Sequence, residues 1–168
     1  RAQAHLLEQQ AYQDALTHLP NRRAFEERIG VELQRVRDDG DVLSLAMMDI
    51  DHFKRINDQR SHAIGDEVLR RFAEVVAQAC RGNDFLARIG GEEFIILAPA
   101  IDSSTGLIIA ERIREAIENT VIPEVGKVTI SIGLAYWPNS SKDIKRVFRV
   151  ADEKLYEAKA QGRNRVKY

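Results

Sequence analysis

The chain has 168 residues, 44% of them hydrophobic and 30% charged, which is typical of one soluble globular domain and excludes a disordered tail. Its 25 Lys and Arg nearly balance its 26 Asp and Glu, giving a formal net charge of −1. This balance excludes a whole-surface nucleic-acid footprint, so any phosphate must be bound by a local cluster. Cys80 is the only cysteine, so an internal disulfide is excluded and a reducing compartment is expected.

The N-terminal segment, residues 1–15, is predicted to be helical. Ala4, Leu7, Ala11 and Asp14 recur at steps of three and four residues, which forms a weak, short heptad pattern. Two interpretations remain open: an ordinary terminal helix, or the end of a coiled-coil stalk from an upstream module. We therefore divide the chain into a linker or signalling helix, residues 1–15, and a globular domain, residues 16–168. Because the chain begins at Arg1, we expect it to be part of a longer protein.

The next elements are a helix and a buried strand. Pro20 and Asn21 interrupt the first helix, and Asn21 can cap a second helix over residues 23–37. The apolar run 42–48 predicts a central strand that is buried on both faces. This strand ends in Asp49-Ile50-Asp51, and the alternation of a strand would place both carboxylates on the same side.

The remaining elements complete a sheet with helices. Residues 52–62 are predicted to be loop-like or irregularly helical, and residues 65–80 are predicted to form an amphipathic helix. Strands over 85–89 and 94–97 flank Gly90-Gly91-Glu92-Glu93, which predicts a hairpin because glycine tolerates positive φ. A helix over 103–118, a strand over 127–137 and a helix over 143–160 follow. The fold class is therefore α+β, with a ferredoxin-like β-α-β-β-α-β core, a mainly antiparallel central sheet, and the helices of this inner unit on one face.

Acidic side chains fall at two strand ends that this topology makes neighbours. Asp49 and Asp51 follow the first strand, and Glu92 and Glu93 lie at the hairpin. Converging carboxylates repel one another unless a cation lies between them. Hard cations such as Mg²⁺ accept oxygen ligands and leave room for substrate phosphates, and two of them can assist a phosphoryl transfer. For the two glutamates alone, plain solvent exposure at a turn is the simpler interpretation.

Basic and small polar residues accompany these acids. Lys54 follows the aspartates, and Lys159 and Arg163 close the last helix, where cations often only balance the helix dipole. Asp66 could likewise favour a helix N-terminus. Asn57 and Asp66 could instead recognise the edge of a guanine.

Six motifs of the sequence follow the pattern of a known family. The segment Gly90-Gly91-Glu92-Glu93-Phe94 resembles the signature of GGDEF-domain diguanylate cyclases in its Glu-for-Asp form. The other motifs follow in order at family spacing: D-x-L-T-x-L-x-N-R-R from Asp14, D-x-D-x-F-K-x-I-N-D from Asp49, H-x-x-G-D from His62, S-I-G from Ser131, and A-D-x-x-L-Y-x-A-K-x-x-G-R-N from Ala151. The resemblance covers residues 14–166 and implies a fold like that of nucleotidyl cyclases.

The resemblance implies a role for each matching residue. Asp49, Glu93 and the Ile50 carbonyl would hold two Mg²⁺ ions, with Mn²⁺ as a substitute, and Glu92 would either be a further ligand or assist deprotonation of the ribose. The guanine would be bound by Asn57 and Asp66, with His62 either orienting that loop or serving a structural role. The phosphates would be held by Lys54, Lys159 and Arg163 and by the Phe53 and Lys54 amides, and Gly90 and Gly91 would admit the nucleotide close to the hairpin backbone.

The implied reaction condenses two GTP molecules into cyclic di-GMP and two pyrophosphates. Each domain would hold one GTP, so we expect a homodimer through the active site and an upstream sensory domain. No nucleic-acid partner is expected. The substrate and the cysteine usage predict a cytoplasmic catalytic domain, although the parent protein could be membrane-anchored.

A second, inhibitory site for the product is implied by Arg81-x-x-Asp84, five residues before the signature, with Arg112 assisting. The simpler interpretation of this pattern is a surface ion pair. Two positions depart from the family: Ser61 replaces a usual glycine and would be strained if the loop needs positive φ, and His18 replaces a frequent glycine. The alternative functions are a catalytically silent sensor that binds GTP or cyclic di-GMP, and a dimerisation scaffold.

Overall fold

The computed structural model describes residues 2–168, which form six helices and seven strands. The helices are α1 (Ala2–Tyr12), α2 (Arg22–Asp39), α3 (Phe53–Gln59), α4 (His62–Ala79), α5 (Ser104–Glu118) and α6 (Ile144–Ala160). The strands are β1 (Val42–Ile50), β2 (Phe85–Gly90), β3 (Glu93–Ala100), β4 (Val121–Ile122), β5 (Gly126–Lys127), β6 (Ile130–Trp137) and β7 (Arg165–Lys167).

Five strands form one sheet in the order β2-β3-β1-β6-β7. The central strand β1 is antiparallel to both β3 and β6, and only β7 pairs in parallel, with β6. Every residue of β1 from Leu43 to Ile50 is buried, as its continuous apolar sequence predicts for a strand covered on both faces. The α+β prediction with a mainly antiparallel central sheet is confirmed.

Helices cover both faces of this sheet. On one face α4 and α5, the helices of the inner β-α-β-β-α-β unit, pack Phe72 and Ile113 into a core with Met48. On the other face α2 and α6 bury Phe25 and Leu155. The inner unit therefore has its helices on one face, as the pattern predicts, and the two flanking helices close the second face.

Gly133 determines how closely α6 approaches the sheet. A Cβ at this position of β6 would overlap backbone atoms of Ala151 and Leu155, including Leu155 Cα at 2.8 Å. Because the obstacle is the helix backbone rather than a mobile side chain, only glycine permits this packing. The close contact fixes the line along which α6 runs towards its C-terminal Lys159.

Side-chain caps explain where α2 and α4 begin. Asn21 caps α2 as predicted, accepting a hydrogen bond from the Ala24 amide at 3.0 Å. Ser61 caps α4 by accepting from the Ile64 amide at 3.1 Å. The φ of Ser61 is −175°, which is extended backbone. The strain considered for Ser61 is therefore absent, and its hydroxyl stabilises the helix. His18, by contrast, has a φ of +63°, a conformation that costs a non-glycine residue about 1 kcal/mol.

Several predicted boundaries are wrong. Helix α1 ends at Tyr12, so Asp14 lies outside it and does not extend the heptad pattern. Residues 52–62, predicted to be loop-like or irregularly helical, contain the short helix α3. Helix α4 begins at His62 rather than at Gly65 because of the Ser61 cap. The strand predicted over 127–137 is divided between β5 and β6, and β7 was not predicted. Within residues 2–168 no helix combines the length and the apolar character needed to cross a bilayer.

Candidate functional site

An open cleft of about 300 Å³ lies where β1 ends, between the β2–β3 hairpin and the end of α6. It brings together many of the residues singled out in the sequence, although they come from three distant segments. Its lining residues are Asp49, Ile50, Asp51, His52, Phe53, Lys54, Arg55, Glu92, Lys159 and Arg163.

Strand pairing aligns the two groups of acids. Asp49 lies directly opposite Glu93 in the antiparallel β1–β3 register, so both side chains project from the same face of the sheet. Glu92 occupies the two-residue turn of the hairpin together with Gly91, whose φ is +37°. A Cβ added to Gly90 or Gly91 would meet no atom within 4 Å, so the hairpin backbone is open to a ligand.

Lys159 forms an ion pair with Asp49 across this cleft. The Lys159 ammonium contacts Asp49 Oδ2, whereas Asp49 Oδ1 is buried and has no hydrogen-bond partner. A buried carboxylate oxygen without a partner is unfavourable and marks a place that a cation can stabilise. The Asp49 side chain therefore has one oxygen already paired with a cation and one available.

Two carboxyl groups of the cleft, those of Asp49 and Glu92, retain protons more readily than ordinary ones. Burial raises the pKa of Asp49, while Lys159 opposes the rise and the neighbouring Asp51 adds to it. Burial also raises the pKa of Glu92, with the charge of Asp49 as the next cause. Both shifts arise mainly because burial disfavours the charged form of a carboxyl group.

The acids do not by themselves form a ready-made metal centre. Nowhere in residues 2–168 do three His, Cys, Asp or Glu side chains come close enough together to hold an ion. The free oxygen of Asp49, the Ile50 carbonyl, and the adjacent Glu92 and Glu93 are nevertheless oxygen donors of the kind that Mg²⁺ prefers. The donor set fits divalent cations that arrive together with further oxygen ligands, such as nucleotide phosphates.

Asp51 differs from Asp49 despite its similar place in the sequence. Its carboxylate accepts from Ser131 Oγ at 2.6 Å, from Thr129 Oγ1 at 2.7 Å and from the Asn164 amide at 3.0 Å. Both oxygens are therefore occupied. The hypothesis that Asp51 belongs to the same cation-binding cluster as Asp49 is not supported by these contacts.

Comparison with known proteins places this geometry in a family. Residues 11–165 match the family described as "Diguanylate cyclase, GGDEF domain". The chain belongs to the GGDEF diguanylate cyclase family.

Relatives and solved structures agree with this assignment. The diguanylate cyclase DgcP of Pseudomonas aeruginosa is 43% identical over 161 residues, which is 94% of this chain and 24% of DgcP. The coiled coil and GGDEF domain of DgcB from Caulobacter crescentus, solved with c-di-GMP, has a TM-score of 0.89 and 32% identity, covering 99% of this chain and 90% of that one. The active GGEEF domain of a Vibrio cholerae diguanylate cyclase has a TM-score of 0.82 and 34% identity, covering 88% and 95%. The chain spans about a quarter of DgcP, and no more than about half of the other curated relatives.

In this GGDEF domain, the residues expected to bind guanine lie at the α3–α4 junction. Asn57 is half-buried on α3 and packs against the Gly65 backbone, where a Cβ would overlap its Oδ1. Asp66 is half-buried and follows Gly65, beyond the first turn of α4. A favourable interaction of its carboxylate with the helix dipole, which is confined to the first turn, therefore explains this residue poorly. His62 is exposed at the start of α4. None of the three lines the carboxylate cleft.

The RxxD residues of the GGDEF domain form a closed ion pair. Arg81 contacts Asp84 Oδ1 at 2.8 Å and also donates to the Pro99 carbonyl at 2.8 Å. The Asp84 carboxylate is fully buried by these contacts. Arg112 donates to the Ala79 carbonyl at 2.9 Å, near the same turn.

The RxxD pair is far from the cleft. Pro99 pairs with Leu43, six residues along β1 from Asp49, which places the ion pair roughly 20 Å away. Any inhibitory ligand there would act at a distance.

An ion pair and a hydrogen bond, which were not predicted from the sequence, connect the N-terminal segment to the hairpin of the signature motif. Arg88 Nη1 contacts Asp14 Oδ2 at 3.0 Å, and Arg88 Nη2 donates to the Gly91 carbonyl at 2.7 Å. Asp14 also accepts from Thr17 within the D-x-L-T motif. The motif that follows α1 is therefore connected by one arginine to the tip of the hairpin.

Proposed function

We propose that this domain is a diguanylate cyclase, which condenses two GTP molecules into one cyclic di-GMP and two pyrophosphates. The 3′-hydroxyl of each GTP attacks the α-phosphorus of the other, a P–O bond forms, and the bond to the β-phosphate breaks. The observation that carries the proposal is the Oδ1 atom of Asp49. This oxygen is buried without a hydrogen-bond partner, in a cleft that Glu92 of the hairpin and Lys159 of α6 also line.

The cationic side chains of the cleft suit a triphosphate. Lys54 follows β1, and Lys159 and Arg163 reach the cleft from the end of α6. These residues would bind the β- and γ-phosphates and stabilise the charge that develops on the leaving pyrophosphate. The Phe53 and Lys54 amides would contribute at the start of α3.

The acidic side chains would hold the cations and receive the proton. Asp49, the Ile50 carbonyl, Glu92 and Glu93 would hold two Mg²⁺ ions, which when bound polarise the attacking and leaving oxygens. Lys159 would then leave its ion pair with Asp49 and bind a phosphate group of the substrate. Glu92 would alternatively accept the proton of the attacking hydroxyl.

Guanine recognition would be separate from the chemistry. Asn57 and Asp66 at the α3–α4 junction present amide and carboxylate groups that complement the guanine edge, and His62 is nearby in the sequence. Gly90 and Gly91 would let the nucleotide approach the hairpin. These contacts would distinguish GTP from ATP.

Catalysis would require a homodimer. One domain offers one cleft, so two domains related by a two-fold axis would bring two GTP molecules together. The c-di-GMP bound in the DgcB structure supports product binding by this fold. Product inhibition at Arg81, Asp84 and Arg112 would require the closed Arg81–Asp84 pair to open towards the ligand.

The test is product analysis with a matched control. Purified protein, freed of bound nucleotide, is incubated with GTP and Mg²⁺ at several protein concentrations, and the products are separated by chromatography. The parent and Glu153→Gln, which changes an exposed glutamate of α6, should form cyclic di-GMP, whereas Glu93→Gln should lose at least about 100-fold in rate.

A different result would contradict the cyclase function. If the folded, dimeric parent forms no cyclic di-GMP under any of these conditions but binds GTP or cyclic di-GMP, the domain is a sensor. If it binds neither, the scaffold interpretation replaces both.

A further inference from the structure

The turn after α6 has an unusual backbone. Arg163 and Asn164 have φ values of +64° and +45°, and Gly162 before them has +121°. Two consecutive non-glycine residues in the left-handed region are unfavourable unless the surrounding structure holds them there. Something outside the turn must therefore determine its conformation.

Asp51 is the residue that holds this turn from the side of the cleft. Its buried carboxylate accepts a hydrogen bond from the backbone N–H of Asn164 at 3.0 Å. The same carboxylate also accepts hydrogen bonds from the hydroxyls of Thr129 and Ser131 at 2.7 and 2.6 Å. The Asp51 amide also donates to the Thr129 carbonyl at 2.9 Å. A charged acceptor at a backbone N–H forms one of the stronger kinds of hydrogen bond.

The turn contains Arg163, whose positively charged side chain lines the cleft. The Arg163 amide donates to the Ala158 carbonyl at 2.9 Å, and the Arg163 side chain lines the cleft with Lys159 and Asp49. On its other side the Asn164 side chain contacts Glu118 and accepts from Arg114 at 3.0 Å. The turn is therefore held on one side by the residue that follows β1 and on the other side by α5. Its residue Arg163 lines the cleft.

We propose that Asp51 is a positioning residue for the substrate triphosphate, acting through the turn that directs Arg163 into the cleft. It makes no bond to substrate and holds no cation, since both of its oxygens are used inside the protein. The inference rests on the proposed function in that it takes a nucleoside triphosphate to be the ligand of the cleft.

The experiment is a double-mutant cycle on nucleotide binding. Asp51→Asn, Arg163→Ala and the double variant are titrated calorimetrically with 3′-deoxy-GTP and Mg²⁺, because this nucleotide lacks the attacking hydroxyl and cannot be condensed. Asp51→Asn should weaken binding about 10-fold in the parent and less than about 2-fold when Arg163 is already alanine, as expected for coupled residues. Glu153→Gln, which removes an exposed carboxylate of α6, should leave affinity unchanged.

A second variant protects the test against misfolding. Thr129→Val removes one donor to Asp51 while keeping the carboxylate, so it should weaken binding in the same direction by a smaller factor. Circular dichroism and thermal melting confirm that each variant is folded. If Asp51→Asn does not fold, the same cycle is measured with Thr129→Val and Arg163→Ala.

The outcomes separate this inference from the cyclase function. An unchanged affinity in Asp51→Asn, or an equal loss with and without Arg163, would overturn the positioning role even if the parent makes cyclic di-GMP. Coupling between the two residues would support it even if the parent makes none. A parent that binds no 3′-deoxy-GTP would overturn both.

Discussion

Asp49 and Lys159 form an ion pair across the cleft although 110 positions separate them in the sequence. The Asp49 side chain is 5% exposed and the Lys159 side chain 35%. The pair links the end of the central strand to the end of the last helix. It supplies a positive charge to a carboxylate whose other oxygen has no hydrogen-bond partner.

Removing Lys159 should affect both stability and activity. In Lys159→Met the buried Asp49 loses its only hydrogen-bond partner, so we expect a loss of about 1 kcal/mol in free energy of unfolding and a loss of at least about 100-fold in cyclase rate. Urea denaturation and product formation measure the two effects. Lys154→Met, which breaks the Lys154–Glu157 pair on the same helix, should change neither by much. Equal behaviour of the two variants would show that the Asp49 pair is only a surface contact.

The raised pKa values of Asp49 and Glu92 predict how stability depends on pH. Because both carboxyls bind protons more tightly in the folded state than in the unfolded state, these two groups stabilise the folded domain near pH 4, and their contribution is lost as the pH rises through their raised pKa values. Glu92→Gln should therefore raise the melting temperature in chelator by about 1–2 °C at pH 7 and have little effect near pH 4.

The same variant should respond differently to ligand. With Mg²⁺ and 3′-deoxy-GTP, the melting temperature of the parent should rise more than that of Glu92→Gln, since the parent holds the ions more tightly. Glu153→Gln is the control for loss of an exposed charge. A melting temperature of Glu92→Gln below that of the parent at pH 7 in chelator would contradict a raised pKa of Glu92.

Gly133 should be intolerant of any side chain. Gly133→Ala places a methyl group against the backbone of α6, which should cost about 3 kcal/mol of stability and displace Lys159 from Asp49. Gly30→Ala is the matched control, since no atom lies within 4 Å of the added Cβ on α2, and it should gain about 0.5–1 kcal/mol. Denaturation curves measure both. A mild effect at Gly133 would mean that α6 can shift without loss.

Gly65 should influence guanine binding through Asn57. In Gly65→Ala the new methyl group would overlap the Asn57 amide, so the amide must move and we expect KM for GTP to rise about 10-fold with a smaller change in kcat. Gly82→Ala, which adds a methyl group in open space, should leave KM unchanged. Steady-state kinetics at saturating Mg²⁺ decide this, and an unaltered KM in Gly65→Ala would argue against a role of Asn57 in binding.

The sequence predicted most of what periodicity and turn chemistry control. The apolar run of β1 and the hairpin at Gly90-Gly91 identified the sheet, and the acids at the strand ends identified the site. Strand β7 was missed because it has three residues, too few to show a period. The role of Asp51 could not be predicted, since its partners Thr129 and Ser131 lie 78 and 80 positions away.

The most direct test of the account is the stoichiometry of the reaction with GTP and Mg²⁺. Cyclic di-GMP, pyrophosphate and inorganic phosphate are quantified in one reaction, and 3′-deoxy-GTP is run in parallel. We predict two pyrophosphates for each cyclic di-GMP, no inorganic phosphate, and no product from 3′-deoxy-GTP. Release of inorganic phosphate with GDP, or no turnover by the folded dimer, would contradict it.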